Sequence, residues 1–481
     1  MTKPACWDLD WKEVEVLDSN AEYMGIDPWI LMKAAGEALF AEVEKSNSNE
    51  AILFLCGPGN NGGDGFVAAL EASKRGMDVS ILASQEKSNS RISEMARNNA
   101  SRHLDIKIWP SKPDSDFSLV IDCLLGSGSA GPGNSLRGNI REMVLWANSL
   151  DANFIACDIP TGLGSSDEMT TEKTVTFHSK KRGMGQSCGE IIVAPLPWPE
   201  EVENCGPGDA KRLPSMRSNA RKGDRGRLLI IGGGPFHGAP ILAGLAAARS
   251  GCDLVHVSMP SQAVKRAQWP TSLIPLEMPD RDLLTKSSVD YICRFLDSNK
   301  TPESIVLGPG LGNDERTIDS SREIIDLALE REIPIVVDAE ATSALPFGSW
   351  PEGLVGVATP HSTEAEKWLG SGNPRDALTS CRGEMATIVI TGHQDKLTAP
   401  EGRKCIAEGG HPRMAVGGSG DLLAGTIGGL MAQGMNPWPA SRLGCALLRE
   451  AGRRAAEITG PGLIAEDVPL QIAKVLAEWT V

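Results

Sequence analysis

Short, unbroken apolar runs that stop at glycine or aspartate recur along this chain, with longer stretches of mixed character between them. AILFLCG at 51–57, DVSILA at 78–83, LVIDCLLG at 119–126 and FIACDIP at 154–160 are continuous rather than alternating. Runs of this kind predict strands covered on both faces of a parallel sheet. Leu17 to Lys45 is rich in Ala, Glu, Leu and Met and predicts one or two helices; Gly65 to Gly76 predicts another. Strand and helix therefore alternate. The first half is expected to be a doubly wound α/β domain with ligand sites at the carboxyl ends of its strands.

The texture changes at 195–223, where Pro, Gly and charged residues crowd together as in a domain linker. A second series then begins. RLLIIGGG (227–234), DLVHVSM (253–259), SIVLGPG (304–310), PIVVDAE (334–340), LVGVATP (354–360) and ATIVITG (386–392) are its strand candidates. Helical stretches follow near Asp421–Gln433 and Pro439–Ile458. The expected organisation is two doubly wound α/β domains, 1–207 and 208–481.

Composition narrows the class. With 481 residues, 41% hydrophobic and 23% charged, each half can bury a core. The net charge of −15 argues against nucleic acid or an anionic membrane surface as partner. Small phosphorylated ligands remain open, because backbone amides at helix N-termini bind phosphate whatever the net charge. The eleven cysteines form no C-x-x-C pair and read as reduced thiols. The N-terminus shows no apolar core behind a basic start, and no stretch approaches the roughly 18 apolar residues of a membrane span. A cytoplasmic protein is expected.

Candidate chemistry in the first half lies at strand ends. GPGNNGGDG, Gly57 to Gly65, joins a strand to a helix with five glycines in nine residues, which suggests a backbone free to take positive φ and to approach a ligand closely. DCLLGSG (122–128) and DIPTG (158–162) end two more strands. An Asp at such a place can cap the next turn, hold a cation or work as an acid or base. Together these motifs resemble the NAD(P)HX epimerase family of the YjeF N-terminal type, with Thr161 for the usual Ser and Ala34 for the usual Asn; LMKAAG (31–36) and TVTFHSKKRG (174–183) extend the likeness over about 14–205. The resemblance implies a potassium ion at Asn61, Asp122 and Thr161. It implies dinucleotide binding by Asn60, Asn61, Gly62, Gly63 and Asp64 and by the 126–132 loop with Gly126, Ser127 and Gly128. Asp158 would be the acid/base group.

In the second half, GGSGD (417–421) opens a long helix whose free N–H groups could hold a phosphoryl group. Asp421 could then take a proton from a substrate hydroxyl, or merely cap its helix. GGGPFHGAP (232–240), GPGLG (308–312) and TPHSTEAE (359–366) are further strand-end loops. The set resembles the NAD(P)HX dehydratase family, of ribokinase-type fold, over about 219–478. This resemblance implies that Ala239, Gly312, His361 and Asp421 contact the hydrate, with Asp421 the base. Thr391, Gly392, Gly417, Gly418, Ser419 and Gly420 would bind the nucleotide, ADP with magnesium, since the two-domain fusion looks like the prokaryotic form. Thr391 stands where the family has Lys, Glu340 where it has Asp, and Arg449 where it often has His. The implied activity is repair of hydrated NADH and NADPH by epimerisation, then ADP-dependent dehydration releasing AMP and phosphate. Two other classes fit the same motifs: a small-molecule kinase with a dinucleotide-binding module, and a first half that only senses or binds. A homo-oligomer is a further expectation of the resemblance.

Overall fold

A computed structural model of the chain describes residues 9–46, 50–128, 133–216, 218–297 and 301–480. The chain divides into two compact units between Val202 and Glu203. Among the described residues no helix is long and apolar enough to cross a membrane.

The first unit is a seven-stranded sheet. Its strands are β1 (Ile52–Cys56), β2 (Val79–Ala83), β3 (Ile106–Ile108), β4 (Leu119–Cys123), β5 (Asn153–Cys157), β6 (Lys173–Phe177) and β7 (Glu190–Ala194), in the order β3-β2-β1-β4-β5-β6-β7. Every neighbouring pair is parallel. The continuous apolar runs follow from this. Ile52, Phe54 and Cys56 enter one core, whereas Leu53 and Leu55 enter the core on the other face. Helices α1 (Trp11–Tyr23), α2 (Pro28–Ser46), α3 (Asn60–Lys74), α4 (Arg91–Ala100) and α5 (Gly138–Ala147) complete the unit. Strand order reverses between β1 and β4, the crevice where doubly wound sheets place their ligands.

The second unit has nine strands: β8 (Arg227–Ile231), β9 (Leu254–Pro260), β10 (Leu273–Met278), β11 (Ser304–Leu307), β12 (Ile335–Val337), β13 (Gly356–Ala358), β14 (Ala386–Ile390), β15 (Asp395–Thr398) and β16 (Lys404–Ala407). They run β10-β9-β8-β11-β12-β13-β14-β15-β16, parallel as far as β14 and antiparallel beyond it. Here too alternate residues of one apolar run, Leu228 and Ile230 against Leu229 and Ile231, feed separate cores. The helices are α6 (Ala239–Arg249), α7 (Ser261–Arg266), α8 (Lys286–Leu296), α9 (Glu315–Glu330), α10 (Ser362–Leu369), α11 (Pro374–Ala377), α12 (Ser419–Ala432), α13 (Pro437–Thr459) and α14 (Pro469–Trp479). The order reverses between β8 and β11.

The unit boundary falls inside the linker-like stretch, and from Glu203 on the stretch is built into the second unit. A turn of 3-10 helix at 207–212 carries Asp209, whose carboxylate takes two hydrogen bonds from Arg442 of α13, at 2.6 and 3.3 Å. The same guanidinium donates to the carbonyls of Glu203 and Asn204 at 3.0 Å each. Both Asp209 and Arg442 are buried, so neither charge could stay there without the other.

Candidate active sites

In the first unit the glycine-rich stretch is less a loop than a helix start. α3 begins at Asn60, and Gly57, Gly59, Gly62, Gly63 and Gly65 all lack the positive φ expected of them. Four of them serve close approach, whereas Gly59 has open space where a Cβ would be. A Cβ on Gly57 would stand 1.7 Å from the Leu124 carbonyl oxygen, one on Gly62 2.0 Å from that of Gly57, and one on Gly65 2.7 Å from the Cys123 Cβ. Bare backbone lets α3 press its first turn against the ends of β1 and β4. The first N–H groups of that turn have no partner within the helix and are free to meet an anion.

Around this helix start the acidic groups converge. Asp158 leaves β5 with φ of 65°, a left-handed conformation that costs a non-glycine residue about 1 kcal/mol or more. It places Oδ2 2.7 Å from the Ser127 amide and Oδ1 2.8 Å from the Lys181 ammonium, which is itself buried. Lys181 also donates to the Thr176 hydroxyl at 2.8 Å and the Phe177 carbonyl at 2.7 Å. Burial works to raise the Asp158 carboxyl, but Lys181 and then Ser127 outweigh it and hold the group below its ordinary range. Asp64, in the first turns of α3, goes the other way: burial, then Asp158 and Asp18, push it well above. Asp18 of α1, an exposed residue, is raised to about 6 by the protein around its carboxyl and then by Asp158. One ionised and two protonation-prone carboxyls thus share one space.

Asp122 and Thr161 meet directly. Thr161 donates from its amide and its hydroxyl to the two Asp122 oxygens, both at 2.7 Å. Asp122 is fully buried, and burial raises it to about 6 despite these bonds. Asn61 is buried with neither Oδ1 nor Nδ2 hydrogen-bonded, and a Cβ on Gly126 would lie 3.0 Å from both Asn61 Oδ1 and Asp158 Oδ2. An orphaned carboxamide oxygen and a poorly compensated carboxylate are hard donors of the kind an alkali cation takes. Of the expected 126–132 loop, residues 129–132 lie outside the described residues. Ser127 is placed against Asp158, and Asn60 accepts from the Ser90 hydroxyl at 2.6 Å.

In the second unit the loops after β8 and β11 interlock. The Gly233 amide donates to the Pro309 carbonyl at 2.8 Å, a Cβ on Gly310 would meet the Phe236 carbonyl oxygen at 2.1 Å, and one on Gly312 the Pro235 ring at 3.0 Å. Ala239 opens α6 beside them. Gly418, at φ of 101°, caps α12 in contact with Leu242 of α6, so the turn with Ser419, Gly420 and Asp421 abuts the same loops. Gly417 and Gly420 have open space where a Cβ would be. Asp421 is raised to about 6, by burial and then by Glu340. Asp338, at the end of β12, is raised to about 8, by burial and then by Asp421, while the Thr359 hydroxyl donates to it at 2.7 Å. Among the described residues no three acidic, His or Cys side chains are arranged to hold a metal ion by themselves.

His361 caps α10: its Nδ1 accepts from the Glu364 amide at 3.2 Å, and its own amide donates to Glu364 Oε2 at 2.9 Å. It also bridges to Thr391, whose amide donates to the Pro360 carbonyl at 2.9 Å, so the two positions are neighbours at the ends of β13 and β14. Gly392 opens the turn that follows, its amide 3.2 Å from Asp395 Oδ1. Arg449 is fully engaged there. It donates to Asp395 at 2.8 Å and to the carbonyls of Gly392, His393 and Gly409 at 2.8 to 3.1 Å, so it clamps the β14–β15 turn rather than standing in for the absent lysine. The sequence reading assigned no role to Lys181, Asp18 or Asp338. Lys181 lies inside TVTFHSKKRG and Asp338 inside PIVVDAE, but nothing local marks which charges fold inward.

Two doubly wound units, each with carboxyls of shifted pKa gathered near a glycine-rich helix start, define a two-site α/β enzyme. Residues 29–183 match the family described as YjeF-related protein N-terminus, and residues 228–474 the family described as NAD(P)H-hydrate dehydratase. The bifunctional NAD(P)H-hydrate repair enzyme Nnr of Methanothermobacter thermautotrophicus is 30% identical, the match covering 96% of this chain and 94% of that one. Its counterpart from Archaeoglobus fulgidus is 32% identical over 86% of this chain and 87% of that one. An ADP/ATP-dependent NAD(P)H-hydrate dehydratase from Bacillus subtilis, co-crystallised with ATP and Mg2+, is 23% identical with a TM-score of 0.45, covering 56% of this chain and 96% of that one. The chain belongs to the family of bifunctional NAD(P)H-hydrate repair enzymes.

Proposed function

We propose that the two units act in turn on one hydrated nicotinamide dinucleotide, the first interconverting the epimers and the second dehydrating one of them. The observation that carries this is the pairing, in one chain, of two acid–base sites with opposite provision: carboxyls of split protonation in the first unit, and a carboxylate at a phosphate-binding helix start in the second.

In the first site, dinucleotide phosphates bind the α3 N-terminus beside Asn60, Gly62 and Gly63. Inverting the hydroxyl-bearing ring carbon needs one proton given and one taken. Asp158, kept ionised by Lys181, takes it; Asp64, pushed toward its protonated form by burial and then by Asp158, gives it. Asn61, Asp122 and Thr161 are the residues that would hold potassium, which would supply positive charge beside the dinucleotide. In the second site, the N–H groups of Gly418 to Gly420 hold the transferred phosphoryl while Asp421 takes the proton of the hydrate hydroxyl as that oxygen attacks phosphorus. The phosphate then leaves from the ring carbon as the neighbouring ring carbon gives up a proton, and the double bond of the reduced nicotinamide re-forms. Ala239, Gly312 and His361 border the hydrate; Thr391, Gly392, Gly417 and Ser419 border the nucleotide. ADP, with magnesium bound to its phosphates, is the expected donor, leaving AMP and phosphate. No partner beyond these small molecules is required.

The test is to mix both epimers of NADHX with the protein, ADP, potassium and magnesium and follow NADH absorbance. Complete recovery, faster than spontaneous epimerisation, supports both assignments. Recovery that stalls near half removes the epimerase assignment. A stable phosphorylated product without NADH makes the second unit a kinase instead.

A further inference from the structure

Among the described residues, Cys205 and Cys405 bring their sulfurs to 3.5 Å. They come from distant parts of the second unit. Cys205 lies in the segment 203–213 that Arg442 anchors, and Cys405 in β16, the last strand of the sheet. The Cys205 amide donates to the Ile406 carbonyl at 2.9 Å, so the segment runs as a strap along an edge strand whose polar groups would otherwise stay unpaired. Cys205 is half-buried and Cys405 is buried beside it. The other close pair, Cys123 and Cys157, is sealed beneath the first sheet. We propose that Cys205 and Cys405 form a reversible disulfide that fastens the 203–213 strap to β16.

The chemistry is exchange with a low-molecular-weight disulfide such as oxidised glutathione. The Cys205 thiolate attacks one sulfur of the reagent, forming a mixed disulfide and expelling one thiolate. The Cys405 thiolate then attacks the Cys205 sulfur, forming the protein disulfide and expelling the second. The two protein protons end on the two released thiols, so two cysteines are oxidised and one glutathione disulfide is reduced. Burial, and then Cys405 itself, pushes the Cys205 thiol well above its ordinary range, so the exchange is slow near neutrality and quickens toward alkaline pH.

The full-length protein is incubated with oxidised glutathione at about pH 8.5, where thiolate is more abundant, then blocked with N-ethylmaleimide and mapped without reduction by mass spectrometry. The expected result is loss of two of the eleven thiols, a cross-link between Cys205 and Cys405 that is two hydrogens lighter, recovery of both thiols with dithiothreitol, and a melting temperature several degrees higher in the oxidised form. Cys205→Ser and Cys405→Ser should each abolish the cross-link. No thiol loss, a glutathione adduct that persists on Cys205, or a different cross-link overturns the proposal. If either variant fails to fold, the map of the unaltered protein alone decides.

Discussion

Asp421 has to be ionised to take a proton, and burial together with Glu340 raises its carboxyl to about 6. Dehydration should therefore fall away below pH 6 and rise through it, as a pH profile of kcat/KM for the preferred epimer would show. Asp421→Asn should lower that rate about 10²–10⁴-fold and leave epimerisation untouched. Lys181 sets the opposite condition. In Lys181→Met the Asp158 carboxyl loses the ammonium that outweighs its burial, so the acid limb of the epimerase profile should move to higher pH, and the unpaired buried carboxylate should cost about 3–5 kcal/mol of stability in a denaturant titration. An unshifted acid limb would show that Lys181 does not govern Asp158. Asp158 and Asp421 were legible in the sequence because each belongs to a short motif, Asp158 opening DIPTG after β5 and Asp421 closing GGSGD in the first turn of α12. Lys181, Asp18 and Asp338 were not, because their chemistry comes from the neighbours that folding gives them. Arg449 was visible as a departure from the family, but its commitment to the β14–β15 turn exists only in three dimensions.

At the scale of elements, the helix α3 shows why a glycine-rich stretch need not be a loop. Gly62 is demanded by the Gly57 carbonyl that crowds it, so Gly62→Ala should destabilise the first unit by about 1–3 kcal/mol in a thermal melt. Gly420→Ala, with open space at its Cβ, should leave the melt unchanged while raising the KM for nucleotide. The fully covered strands β1, β4, β8 and β11 could be read from their unbroken apolar runs. The strands that were overlooked lie toward the margins. In β10 and β15 buried and more exposed positions alternate, and β3 is three residues long, so no continuous run announces them. The linker-like composition of 195–223 misleads for a related reason. Its prolines and charges do break regular structure, yet Asp209 and the strap around it are held by α13 rather than left to solvent.

On the scale of the molecule, two sheets were foreseeable from two strand–helix series separated by a change of texture, and each carries its own switch point. The two reactions should then be separable. Replacing potassium with lithium should slow epimerisation and spare dehydration, measured by following the two epimers chromatographically. Mixing Asp158→Asn with Asp421→Asn protein should restore full recovery of NADH, because the epimer made at one site reaches the other through solution; recovery no better than with Asp158→Asn alone would mean that substrate does not travel freely. The buried Asp209–Arg442 pair has a consequence of another kind, in biosynthesis. Its partners are 233 residues apart. At about 5–20 residues per second, the ribosome needs roughly a quarter to three quarters of a minute after making Asp209 before Arg442 exists. Through that interval the strap has no anchor and the acid no counter-ion. The second unit closes only near the end of translation, so a chain stalled before α13 would leave the strap for chaperones or proteases to find.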